Sequence, residues 1–136
     1  KTALHVAAGR GHVKCIPLLL NAGASTESKD INGNSVLHDA ARAGQAAVVQ
    51  VFLQRRAEIN AKNNTGHTAL HVSASEGHAD VVQALLQQGA EIDEKTHKGE
   101  TALHLAILKG HERMAMLLLE NGAYPIAKTN NGRTPL

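Results

Sequence analysis

Thr68-Ala69-Leu70-His71 repeats Thr2-Ala3-Leu4-His5 and is repeated by Thr101-Ala102-Leu103-His104; Ser35-Val36-Leu37-His38 is a variant, and Thr134-Pro135-Leu136 opens a fifth copy, every step being 33 residues. The same step aligns Gly11, Gly44, Gly77 and Gly110, then Gly33, Gly66, Gly99 and Gly132, then Ala24, Ala57, Ala90 and Ala123. So many independent columns in register define a repeat array. Each unit is too small to bury its own hydrophobic face and must stack on its neighbours, so the chain reads as a solenoid. The units span residues 1–33, 34–66, 67–99 and 100–132, with 133–136 starting another, and all 136 residues form one array.

The composition agrees. Aromatic residues are 1% of the chain, so Ala and Leu must do the packing, as suits short, closely stacked helices. Fourteen basic and twelve acidic residues nearly balance. Neither a clustered basic footprint nor aromatic platforms for nucleic acid are present. One cysteine, Cys15, excludes an internal disulfide and fits a reducing compartment, and no apolar run is long enough for a membrane span or a leader. The expectation is an intracellular, cytoplasmic protein, a monomer by default, without membrane insertion and without cofactors. Asn63-Asn64-Thr65 matches a glycosylation acceptor, a three-residue pattern too short to carry weight.

Within one unit, Thr68 is a helix N-cap, and its equivalent Thr134 precedes Pro135 at the favoured first helical position. Leu70 and Ala74, with the small Ser73, face inward, and Gly77 ends a helix of about two turns. A second helix carries Val81, Val82, Leu85 and Leu86 on one stripe and ends at Gly89. Residues 91–99 lack helical period and hold a glycine near the tip of a hairpin-like turn. Helices this short are marginal alone, so stacking must be their main source of stability.

The period, the Thr-x-Leu-His-x-Ala opening, the Gly-His between helices and the Gly-Ala before the loop resemble the ankyrin repeat over the whole chain. The resemblance implies an all-α solenoid of helix-turn-helix units with projecting β-hairpin-like loops, used as a noncatalytic scaffold or adaptor that binds a protein or peptide.

Several positions depart from the pattern. Arg56 stands where Gly23, Gly89 and Gly122 end the second helix, a left-handed position that costs a non-glycine residue about 1 kcal/mol. Pro17 falls inside the second helix of the first unit and should bend or loosen it. Tyr124-Pro125-Ile126 replaces Glu-Ile-Asn or Glu-Ile-Asp, so the loop arm of the fourth unit should be nonstandard. Both ends are cut inside the motif without polar end units, so a fragment of a longer array is expected.

Nine histidines raise the alternative of a histidine-based enzyme or metal site. His5, His38, His71 and His104 fill one column, and His12, His78 and His111 another. Stacked units separate equivalents by about 10 Å, whereas zinc ligands sit about 2 Å from the ion. The family resemblance makes these columns structural, tying helix starts to nearby backbone. Only His67 and His97 lie outside them, with no carboxylate or cysteine at ligand spacing, so no metal site is expected. Cys15 aligns with Val48, Val81 and Met114 and reads as a small core residue. Asp39 replaces Val6, Val72 and Leu105; a lone carboxylate supplies no nucleophile, base and oxyanion site together, so no catalytic residues are assigned. Lys29, Lys62, Lys95 and Lys128 form a ladder that either steers an acidic peptide or is an ordinary column of the family. An engineered repeat binder is a further alternative, against which stand Cys15, Pro17, Phe52 and Arg56.

The resemblance also places recognition on the concave face, made of loop tips and the exposed side of the first helices. Carried onto the positions that vary between units here, the candidates are Ile31, Asn32 and Asn34 with Asp39, Arg42 and Ala43; Asn64, Thr65 and His67 with Ser75 and Glu76; and His97, Lys98 and Glu100 with Leu108 and Lys109. Varying polarity marks these as solvent-facing, with Ile31 and Leu108 as anchors and Arg42, Glu76 and Lys109 tuning specificity.

Overall fold

The computed structural model describes residues 1–135, so Leu136 of the last motif lies outside the described residues. Eight helices follow in four pairs: α1 (Ala3–Arg10) with α2 (Cys15–Asn21), α3 (Val36–Arg42) with α4 (Ala46–Gln54), α5 (Ala69–Glu76) with α6 (Ala79–Gln87), and α7 (Ala102–Leu108) with α8 (Glu112–Glu120). No strand occurs among the described residues. In each pair the helices pack on each other, and α1 stacks on α3, α3 on α5 and α5 on α7. The core is a row of equivalent leucines, Leu4, Leu37, Leu70 and Leu103, with Ala8, Ala41 and Ala74 beside them and Phe52 filling the second-helix layer. Burying such a leucine contributes roughly 2 kcal/mol, more than a two-turn helix can supply for itself.

Each first helix starts at a reciprocal cap. Thr2, Ser35, Thr68 and Thr101 accept from the N–H of the histidine three residues on, and that histidine's Nδ1 accepts in turn from the cap N–H. It is a capping box in which imidazole replaces the usual Glu or Gln. With Nδ1 an acceptor, the ring proton sits on Nε2, which donates to the next unit: His5 to Asn34 O at 3.0 Å, His38 to His67 O at 2.7 Å, His71 to Glu100 O at 3.1 Å and His104 to Arg133 O at 3.2 Å. One side chain thus caps a helix and links two repeats. The second column works in the opposite direction, His78 Nε2 donating back to Arg42 O at 3.0 Å and His111 Nε2 to Ser75 O at 2.9 Å. Gly44 makes this possible: its φ is +73°, and a Cβ there would come within 2.7 Å of the His78 ring.

The loops are built by a column that the sequence reading did not single out. Asp30, Asn63, Thr96 and Thr129 use a side-chain oxygen to accept backbone N–H groups from the loop: Asp30 Oδ1 takes those of Asn32 and Asn34, each at 2.9 Å. Burial pushes the Asp30 carboxyl up, but these N–H donors outweigh it and hold the group below its ordinary value. The signal was present in sequence as a short polar residue three positions before each of Gly33, Gly66, Gly99 and Gly132. Adjacent tips join through single backbone bonds, Asn64 N–H to Asn32 O, His97 N–H to Thr65 O and Asn130 N–H to Lys98 O.

The disturbance expected at Pro17 takes the form of a shortened helix, and two other expectations are corrected. α2 begins two residues later than its counterparts, at Cys15 rather than at the position equivalent to Ala46 and Ala79. Pro17 therefore sits in the first turn, where a missing N–H costs no helical bond. Cys15 is exposed, not core. Its equivalents Val48, Val81 and Met114 are buried, so the column alone did not decide the exposure of Cys15. The loop arm at Tyr124-Pro125-Ile126 keeps the standard turn, with Tyr124 N–H donating to Asp93 Oδ1 at 2.9 Å as Glu91 N–H donates to Asn60 Oδ1 at 3.0 Å.

Candidate functional site

Loop tips and first helices meet along one side of the stack, where clefts open between units. One of about 350 Å³ lies between Lys1, Val6 and Arg10 of the first unit and Asp39, Arg42 and Ala43 of the second. A second, about 180 Å³, brings Arg42 together with Thr65, His67, Ser75 and Glu76. A third, about 240 Å³, gathers Lys98, Glu100 and Leu108 with Asn131 and Arg133. Side chains far apart in sequence thus share grooves, because the 33-residue stacking sets each loop beside the next unit's helix.

Of the remaining candidates, Ile31, Asn32, Asn64, His97 and Lys109 are exposed but line none of these clefts. Ile31 protrudes at a loop tip with 93% of its surface in solvent, and Leu108 is 64% exposed on α7. Asn64 and its equivalent Asn130 also brace the tips, Asn64 Nδ2 donating to Ile31 O and Asn130 Nδ2 to His97 O.

Two candidates are not solvent-facing. Asn34 is buried, its Oδ1 accepting from Asn63 Nδ2 at 2.9 Å. Asp39 is buried as well, like its equivalents Val72 and Leu105 on helices that stack against the unit before, while Val6 is 48% exposed. Variation between units does not mean exposure here, since Asp39 is a polar exception in a core column. Its Oδ2 accepts from Lys1 Nζ at 3.3 Å, and Oδ1 faces Arg42 Nη1 at 3.6 Å, an ion pair too long to be a hydrogen bond. Asp39 Oδ1 is accordingly a buried oxygen without a hydrogen-bond partner.

The capping histidines are committed to the fold. His38 and His71 use both ring nitrogens in backbone and cap bonds. Burial pushes His71 down to about 4, and burial also lowers His38. His67 stands edge-on to His71 with ring centroids 5.7 Å apart; burial lowers its pKa, Glu100 opposes, and Arg42 and Lys98 add to the lowering. Among the described residues no three His, Cys, Asp or Glu side chains come together as a metal-ligand set.

The lysine ladder is engaged in structure. Lys29, Lys62 and Lys95 each donate from Nζ to the backbone oxygen of the lysine one unit on, at 3.1, 3.0 and 3.3 Å. Lys62 also pairs with Glu94 at 2.8 Å, and this contact holds the Glu94 carboxyl below its ordinary value despite partial burial.

A family model described as ankyrin repeats (3 copies) matches residues 1–63, and one described as ankyrin repeats (many copies) matches residues 74–119. Comparison with curated proteins finds no match.

Proposed function

The chain belongs to the ankyrin repeat family, whose repeats are generally protein–protein interaction modules, and from that premise we propose that it is a noncatalytic scaffold or adaptor binding a protein or peptide through its loop tips and first helices. The observation that carries this reading is the row of clefts between units on that side, one of them lined by Leu108, with Ile31 exposed at a loop tip. Desolvated apolar side chains carry most affinity at an interface, and rim charges such as Arg42, Glu76 and Lys109 set rate and specificity. No helix among the described residues is long and apolar enough to cross a membrane. An exposed free thiol at Cys15 favours a reducing, cytoplasmic setting.

The test is affinity capture with the intact array followed by mass spectrometry. Ile31→Ala with Leu108→Ala should weaken capture without shifting the melt, since neither side chain is in the core. Changing Gln50 and Gln83 on the second helices to Ala should do neither. Capture that survives the first pair and is lost with the second would place the partner on the opposite face.

A further inference from the structure

We propose that the cleft between the first and second units is a receptor for a carboxylate side chain of an acidic partner segment, with Arg42 and Arg10 as its cationic donors and Asp39 as the buried group that sets Arg42 in place. The proposal rests on the reading of this face as the partner-binding surface and names the chemistry of one contact on it. Three cationic side chains, Lys1, Arg10 and Arg42, border the cleft against one anion. That anion is set behind the cations: the Asp39 side chain is 4% exposed, those of Lys1 and Arg42 56% and 44%. An incoming charged group therefore meets positive charge first, so a partner lysine or arginine is disfavoured and a carboxylate is attracted.

The geometry leaves donors free for it. At 3.6 Å from Asp39 Oδ1, Arg42 makes an ion pair without a hydrogen bond. Its guanidinium fork thus keeps N–H groups for a carboxylate, which a fork can grip with two parallel bonds. The backbone beneath is held, since Arg42 O accepts from His78 Nε2 at 3.0 Å. Gly9 occupies the column of Arg42 in the first unit, and nothing lies within 4 Å of where its Cβ would be, so space is open for a side chain to enter. Half-exposed Val6 supplies an apolar wall for the methylene stem of a glutamate. No other unit repeats this set, for the Asp39 column is Val or Leu elsewhere and the Arg42 column is Gly9, Ser75 and Leu108.

The probe is fluorescein-labelled hexaglutamate, with hexalysine as the opposite charge, titrated by anisotropy against the whole chain at low and at raised ionic strength. Hexaglutamate should bind, with Arg42→Ser and Arg10→Ser each weakening it about tenfold and Arg42→Lys falling between. Arg113→Ser on α8, which removes the same charge far from the cleft, should stay within about twofold. Ser is the residue the third unit carries at the Arg42 position, and an unchanged melt verifies folding. Equal losses from the Arg42 and Arg113 variants, no hexaglutamate binding, or preference for hexalysine would each overturn the proposal. The Ile31 and Leu108 capture test fails independently: loss of capture there with hexaglutamate indifferent to Arg42 sinks this cleft alone, and the reverse sinks the broader reading.

Discussion

Arg56 has φ +63°, the one non-glycine residue with positive φ among the described residues, while Gly23, Gly89 and Gly122 take the same turn at 101°, 90° and 92°. A Cβ in that region crowds the following carbonyl, so Arg56→Gly should raise stability by about 1 kcal/mol, read as a higher midpoint in a thermal melt. A lowered midpoint would show that the side chain contributes more than its strain costs. The neighbouring Arg55 is the one that reaches across units, donating to Asn21 Oδ1 at 3.3 Å. Arg56 was legible from sequence because a missing glycine in an otherwise uniform column is a local backbone statement. Asp39 was not, because its burial depends on the unit stacked over it. Three apolar equivalents at Val6, Val72 and Leu105 were the available warning that the column belongs to the core.

At the scale of elements, the histidine cap couples each first helix to the loop that follows it, and it does so only while the ring is neutral. His71 Nδ1 accepts from Thr68 N–H at 3.0 Å, while Nε2 donates to Glu94 O at 2.8 Å. A second ring proton would point at the cap donor. Burial lowers His71 from 6.5 to about 4, so between those values the unfolded chain binds a proton that the folded chain refuses. Stability is therefore complete above about pH 6.5 and falls as pH drops toward about 4, by on the order of 3 kcal/mol from this residue. Urea unfolding at stepped pH should show this loss, flattened in His71→Gln; coincident slopes for the two proteins would refute it. Helix starts were readable from Thr, Ser and the histidine column because capping acts within four residues. The late start of α2 was not, since the sequence rule placed Pro17 mid-helix without knowing that the first turn would be given up to accommodate it.

Across the whole molecule, cohesion comes from interactions that recur between units, with the first histidine column reaching forward, the second reaching back, and the lysines running along the loops. His5, His38, His71 and His104 already use both ring nitrogens in bonds that hold the stack. Adding zinc or a chelator should leave both the melt and partner capture unchanged, and metal-dependent stabilisation in calorimetry would overturn that. The sequence by itself determined the period, the helix pairs, their caps and left-handed ends, and the leucine and alanine rows, because each of these is decided within a single unit and then repeated. Only the tertiary structure decided that Asn34 and Asp39 are buried, that Cys15 is not, and that the lysine heads are occupied by carbonyls 33 residues away. The physical reason is that burial and long-range hydrogen bonds depend on which unit lies on either side, and a column of residue types records what a position tolerates without recording what covers it.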